Sequence, residues 1–342
     1  MIAAVLKERF PGETRVALVP TNVPQLAKVG VEVLVESGAG EAAGFPDAQY
    51  ADKGATIVED LAAAMAAQVI LKVRAAGMDA DDGADVFGEL RPEHVVIGSC
   101  DPLGQPFAIK EWATSDSTLF SLEMIPRITR AQSMDVLSSQ ATIAGYRAVL
   151  LGAMELPKMF PMMMTAAGTL KAARVLVIGA GVAGLQAIAT ARKLGAIVQA
   201  YDLRPACREQ VESLGGKFVE LDIESSTSED QGGYAKAMDE AFYRRQRELL
   251  ADVVATNDIV VTTAAIPGRK SPLLVTADAV RRMVPGSVII DLASERGGNC
   301  ALTQADKRVI DSGVLLLGPT NIAAGVANHA SQMLGNNGVK FL

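Results

Sequence analysis

The sequence predicts an α/β protein of two domains, each built on a parallel sheet with helices on its faces. Three observations predict it. The chain has 342 residues, more than one ordinary core fills and about right for two domains. It is 49% hydrophobic but only 4% aromatic, with 31 Gly, which suits helices packed closely on sheets better than a β-sandwich. Short apolar runs alternate with helical ones along most of the length, the order expected of β-α-β crossover units.

In the first half the order reads IAAVL, VPQLAKVG, VEVLVES, DAQYADKG, ATIVE, LAAAMAAQ, VILKV and VVIGSC. The strand-like runs are short and rich in Val and Ile, and the helical runs lie between them, so a parallel sheet with covering helices follows. A long helical pattern over residues 135–156 is expected to cross from one domain to the next. The second series is ARVLVIGAG, LQAIATARKLG, IVQAYDLR, EQVESLGG, DIVVTTAAIPG, SVIIDLAS and VLLLGP. The expected division is residues 1–137, completed by 320–342, and residues 138–319. One long irregular stretch, IESSTSEDQGGYAKAMDEAFYRRQRE, reads either as a solvated insertion or as a flap pivoting on Gly232 and Gly233, with Tyr234 as its closing aromatic.

A formal charge of −7 leaves no basic face, so nucleic acid is excluded as a partner. Lys7, Glu8 and Arg9 fall where a signal peptide needs its apolar core, and no export signal is read. The most apolar segment, PMMMTAAGTLKAARVLVIGAG, is broken by Lys171 and Arg174, so a chain soluble by itself, without direct membrane insertion, is expected. Cys100, Cys207 and Cys300 lie too far apart for a zinc knuckle, and free thiols in a reducing cytoplasm, with no metal site, are the expectation.

The strongest local signal is RVLVIGAGVAGLQAIATARKLGAIVQAYDLR. Gly179, Gly181 and Gly184 form G-x-G-x-x-G between an apolar strand and an amphipathic helix, and Asp202 ends the next strand. Gly179 permits the tight turn, Gly181 lets the backbone approach a pyrophosphate, and Gly184 lets the helix pack close to the strand. A dinucleotide-binding Rossmann unit follows. Asp202 can accept from both adenosine ribose hydroxyls and repels a 2′-phosphate, which favours NAD(H), whereas Arg204 could pair with that phosphate. The loops VTTAAIPG and DLASERGG follow later strands at their carboxyl ends, where ligands of open α/β sheets bind.

A general base is missing. An enzyme that oxidises an alcohol or amine moves a proton as well as a hydride. Only His94 and His329 are present, and both read as structural; Lys72 is the best alternative base, although a strand-end Lys is usually solvated. Upstream, IPRITRAQSMDVLSSQATIAGYR places Arg127, Gln132 and Asp135 before a small-residue helical run. By spacing alone this is either a solvated face with Asp135 capping the helix near Val136, or a functional loop.

The segments MIAAVLKERFPGETRVALVP, VEVLVESGAG, MIPRITRAQSMDVLSSQATIAGYRAVLLGA, FPMMMTAAGTLKAARVLVIGAGVAGLQAIATARKLGA, GGYAKAM, TTAAIPG and PGSVIIDLASERGGNC closely resemble the NAD(H)-binding domain I of proton-translocating NAD(P) transhydrogenase. The alanine dehydrogenases are more distant relatives. The resemblance implies two Rossmann-like domains with the NAD site in the cleft between them. It assigns Arg127, Gln132 and Asp135 to the nicotinamide end, with Ser138 following, and further NAD contacts to Val182, Asp202, Arg204, Gly233, Tyr234, Gln246 and Ala265. It implies direct hydride transfer from NAD(H) here to NADP(H) on a separate domain III, coupled to proton movement through a membrane domain II. It also implies a homodimer held peripherally on the cytoplasmic face of the membrane through these partners. Hydride exchange between two nicotinamides needs no acid–base residue, in keeping with the missing base.

The chain departs from the family at Ser99, Cys100 and Asp101, where alanine dehydrogenases carry a catalytic His, and at Pro319, where the family usually has His. Lys72 and Arg15 match the substrate-binding Lys and Arg of the alanine dehydrogenases, so a soluble amino-acid dehydrogenase is the alternative. A non-catalytic NAD sensor is a third reading.

Overall fold

Period-two burial along the β-branched runs fixes both sheets. In this computed structural model, which describes residues 1–75, 84–222, 240–266 and 268–342, the chain divides into two units. The first is Met1–Gln140 with Ala323–Leu342, and the second is Ala141–Ile322.

The sheet of the first unit has strands β1 (Ile2–Val5), β2 (Glu32–Glu36), β3 (Thr56–Val58), β4 (Val69–Arg74), β5 (Val95–Ser99) and β6 (Thr118–Ser121), in the order β3-β2-β1-β4-β5-β6. Every pairing is parallel. Ala3, Val5, Val33, Val35, Val69 and Leu71 pack into one core, while Ala4, Leu6, Ile70 and Val96 pack into another on the opposite face. Helices α1 (Val23–Ala27), α2 (Asp47–Ala51), α3 (Leu61–Ala64), α4 (Ala84–Gly88) and α5 (Pro106–Trp112) lie in the crossovers. The edge strand β6, TLFS, carries too weak a pattern to be read from sequence.

Helix α6 (Val136–Glu155) begins in the first unit, and its residues from Ala141 onward belong to the second. Asp135 caps it, its Oδ1 accepting the Ser138 N–H at 2.9 Å. In the second unit the small residues of this helix have a clear use. A Cβ at Gly145 would collide with the backbone carbonyl of Ala183, at the start of α7 (Val182–Lys193).

The remaining strands of the second unit are β7 (Met163–Thr165), β8 (Gly168–Leu170), β9 (Arg174–Ile178), β10 (Ile197–Tyr201), β11 (Lys217–Phe218), β12 (Ile259–Thr262), β13 (Val288–Asp291), β14 (Arg308–Asp311) and β15 (Val314–Leu317). Seven of them form one sheet in the order β11-β10-β9-β12-β13-β15-β14. All its pairings are parallel except that of the edge strand β14 with β15. Val175, Val177, Val198, Ile259 and Ile290 face one core, and Leu176, Ile178, Val260 and Ile289 the other. Helices α8 (Cys207–Ser213), α9 (Glu240–Ala255) and α10 (Ala277–Arg281) complete the layers, and β7 and β8 form a separate antiparallel hairpin. The last helix, α11 (Ala327–Phe341), packs into the first unit, where Leu334 joins the core and the Ser331 hydroxyl accepts the Val16 N–H at 3.0 Å.

Each unit holds a buried carboxylate that ties its loops together. In the first, Glu13 accepts from Arg15 N and Nε at 3.0 and 2.8 Å through Oε1, and from Arg15 Nη2 and Arg74 Nε at 2.7 and 3.0 Å through Oε2. Burial alone would raise this carboxyl; the hydrogen bonds and charge of Arg15, with the bond from Arg74, overcome it and hold the group at about 2. In the second, Asp291 is fully buried at the end of β13 and accepts from Thr262 Oγ1, Ala293 N, Asn299 N and Cys300 N at 2.9–3.0 Å. Asn299, also fully buried, pairs with both backbone groups of Ala264, accepting its N–H at 3.0 Å and donating to its carbonyl at 2.8 Å.

Two outcomes follow from this packing. Gly145→Ala should destabilise the second unit by about 1–3 kcal/mol, because only backbone movement relieves the overlap; thermal unfolding of the variant reads the loss. Glu13 is depressed from an ordinary 4.5, so its contribution is complete above that value and is lost as pH falls toward about 2. Glu13→Gln should therefore be less stable at neutral pH, and its urea midpoint should fall less steeply than the parent's through that acid window.

Candidate dinucleotide site

β9 runs buried to Ile178 and delivers the chain to Gly179, whose φ of +101° is open only to glycine at low cost. A Cβ there would also stand 2.6 Å from Thr263 Oγ1, which donates to the Gly179 carbonyl at 3.0 Å. A Cβ at Gly184 would overlap that same carbonyl, so helix α7 can start against the strand end only with glycine at both places. Gly181 is different. No atom lies within 4 Å of the Cβ it lacks, and its extended backbone leads directly into Val182 at the first turn of α7. That open cradle at a helix N-terminus fits the pyrophosphate of a dinucleotide.

Asp202 follows β10, its side chain 6% exposed. Its Oδ2 accepts the Ala180 N–H at 2.7 Å, which ties the glycine turn to the neighbouring strand. Arg204 takes the rest of the carboxylate: its N and Nε reach Oδ1 at 2.9 and 3.0 Å, and its Nη2 reaches Oδ2 at 3.0 Å. Beside them opens a cavity of about 450 Å³ lined by Tyr201, Asp202, Arg208, Phe218, Leu221 and Phe242. Its apolar walls and the acid at its edge suit a flat heteroaromatic base joined to a ribose. Arg208 lies 5.4 Å above the Phe218 ring and pairs with Glu220.

Gln246 on α9 is buried, donates through Nε2 to the Tyr201 hydroxyl at 2.8 Å, and leaves Oε1 without a partner among the described residues. The Tyr201 phenol is pushed up to about 12, chiefly by burial, with the Gln246 bond opposing and the Asp202 charge adding to the rise. Ala265 is exposed in the loop after β12, next to the Ala264 backbone that Asn299 holds. Gly179, Gly181, Val182, Gly184, Asp202, Arg204, Gln246 and Ala265 thus all lie in the second unit, with the turn and the acid in direct contact.

The first unit carries the other candidates. Asp135 gathers Ser138, whose N–H and Oγ donate at 2.9 and 2.6 Å, and Arg127, whose Nε lies 3.8 Å from Oδ2. Gln132 is exposed on the short 3-10 helix Thr129–Met134. Both sequence readings of Asp135 therefore have a physical basis: it caps α6 and it faces the exposed Arg127. Gly233 and Tyr234, with the rest of the expected flap up to residue 239, lie outside the described residues.

The histidines occupy structural and surface positions. His94 is buried, its Nδ1 accepting the Arg91 N–H at 3.1 Å and its Nε2 bonded to the Met65 carbonyl at 3.1 Å. His329 is exposed on α11, and Lys72 is buried within β4. Cys100, Cys207 and Cys300 are buried free thiols, with Cys100 and Cys300 pushed up by burial. No acidic, histidine or cysteine cluster that could hold a metal, and no helix long and apolar enough to cross a membrane, occurs among the described residues.

Asp291 and Asn299 escaped the sequence reading. They touch partners eight to thirty-five residues away, and the one local sign was an acid at the end of SVIID.

Comparison with known proteins agrees with this arrangement. The family models for the alanine dehydrogenase/PNT N-terminal and C-terminal domains match residues 4–144 and 148–342. The chain is 48% identical over 344 residues to the first of the two chains that make up the NAD(P) transhydrogenase alpha subunit of Rhodospirillum rubrum, covering 100% of this chain and 89% of that protein. The solved transhydrogenase of Sinorhizobium meliloti superposes with a TM-score of 0.90 at 46% identity, over 100% of this chain and 92% of that one. Alanine dehydrogenase of Bacillus subtilis is more distant, 29% identical over 87% of this chain and 72% of that protein. The chain therefore belongs to the alanine dehydrogenase/PNT family, on the branch of the NAD(P) transhydrogenase alpha subunits.

Proposed function

We propose that this chain is the NAD(H)-binding subunit of a proton-translocating NAD(P) transhydrogenase, an oxidoreductase that works only with partner subunits. The observation that carries the reading is the open Gly181 cradle joined through Ala180 to the buried Asp202, beside a cavity of the size of a nucleoside. Bound NAD(H) supplies a hydride donor or acceptor. The backbone at Gly181 and Val182 holds the pyrophosphate, Asp202 the adenosine ribose, and the Tyr201–Phe218 cavity the adenine. Gln246 and Ala265 line the path beyond, and Gly233 and Tyr234 close over the nucleotide. Arg127, Gln132, Asp135 and Ser138 orient the nicotinamide end.

NADP(H) is held by a separate partner domain, and hydride passes directly between the two nicotinamides. Positioning accounts for the rate, since no proton is exchanged with substrate and neither histidine is needed. A membrane-spanning partner couples the transfer to proton translocation and keeps this chain on the cytoplasmic face. The chain acts as a homodimer. The exposed methionines Met162, Met163 and Met164 on and beside the β7–β8 hairpin support that, because a lone two-stranded hairpin is marginal in water without a surface to cover it.

The test offers purified chain NADH and an acetylpyridine analogue of NAD, with and without an NADP(H)-binding domain from a relative. Exchange that needs the added domain is the expected result; turnover of NAD with alanine alone would instead favour the amino-acid dehydrogenase. Within that assay, Gln132→Asn should keep NADH affinity within about twofold yet slow transfer, because shortening the amide costs geometry more than binding. A collapse of affinity at unchanged rate would remove Gln132 from its role.

A further inference from the structure

Asp202 has no spare acceptor. An ionised carboxylate offers about four lone-pair sites, and among the described residues four N–H groups fill them, one from Ala180 and three from Arg204. The two Arg204 side-chain bonds form a fork, with Nε on one oxygen and Nη2 on the other, the strong bidentate geometry of guanidinium and carboxylate. Both side chains are largely shielded, Asp202 6% and Arg204 16% exposed, so water screens the pair poorly.

A ribose offering two hydroxyl donors to this carboxylate meets groups already donating to it. The Ala180 bond and the Arg204 backbone bond belong to the turn itself and stay. The guanidinium is the mobile occupant, two residues along the chain on a flexible side chain.

We infer that Arg204 is an internal competitor of the adenosine ribose: nucleotide binding exchanges its guanidinium fork on Asp202 for the two ribose hydroxyls, and Arg204 thereby sets both NAD(H) affinity and the margin over NADP(H). This rests on the reading of the second unit as an NAD(H) site. The displaced guanidinium also offers the 2′-phosphate of NADP(H) its nearest positive charge, softening the repulsion from Asp202. Arg204 therefore lowers affinity for the right nucleotide and raises it for the wrong one. An Arg acting as an ordinary ligand contact would do the reverse for NAD(H).

Titration calorimetry of NADH and NADPH against the full chain and its Arg204→Ala and Arg204→Lys variants tests this without any turnover. Arg204→Ala should bind NADH more tightly, by roughly tenfold, the scale of one charge-assisted hydrogen bond, and NADPH more weakly. Arg204→Lys, which keeps the charge but cannot make the fork, should fall between parent and Ala for NADH and stay near the parent for NADPH. Circular dichroism of each variant checks the fold, and Arg204→Lys carries the test if Arg204→Ala does not fold. Weaker or unchanged NADH binding in a folded Arg204→Ala, or in Arg204→Lys where that alone folds, would overturn the inference while leaving the NAD(H) reading intact. A parent chain that binds no NADH would overturn both.

Discussion

The second unit depends on one close approach, the start of α7 set against the end of β9. Gly184 and Gly179 allow it, since a Cβ on either would meet the Gly179 carbonyl or Thr263 Oγ1. From that contact the rest follows in order. The helix N-terminus and the carboxyl ends of β9 and β12 come to one place, Thr263 locks the turn by its bond to Gly179, and Ala180 is free to donate to Asp202. Gly145 extends the same logic to a third element, since α6 can lie on the first turn of α7 only where it lacks a side chain. Close backbone packing leaves Gly181 as the one fingerprint glycine facing open space.

Polar burial then holds the loops that packing alone would leave loose. Asp291 collects four neutral donors from three segments, and Asn299 splices Ala264 into the same network. In the first unit the answer is ionic: Glu13 draws Arg15 and Arg74 together, and Arg15 continues through Nη1 to Gln140 at 2.9 Å. Each sheet end is thus pinned by one carboxylate whose every lone pair is used.

Much of this was legible in the sequence because its signals are local. The glycine spacing, the acid that ends β10 and the β-branched runs of both sheets are read within a window of about thirty residues, and the two parallel sheets appear where those runs predict them. What could not be read depends on distance or on exposure. The Asp291 and Asn299 contacts join segments remote in sequence. The β7–β8 hairpin has no buried face to give it a period, and TLFS at the sheet edge is half-exposed. The Arg204 fork was hidden for a different reason: spacing says that an Arg and an acid are two residues apart, not that the guanidinium folds back onto both oxygens. The scarcity of histidine was legible, and the buried backbone bonds of His94 give its structural reading a physical basis.

Whether the glycine turn, Asp202 and the adjoining cavity together receive NAD(H) is tested most directly by a crystal structure of the chain with NADH. The pyrophosphate is expected against the Gly181–Val182 backbone, the adenosine ribose hydroxyls on Asp202, and the adenine in the cavity bounded by Tyr201, Phe218 and Phe242. Electron density for the nucleotide at any other place on the chain, or a ribose that makes no contact with Asp202, would contradict that assignment.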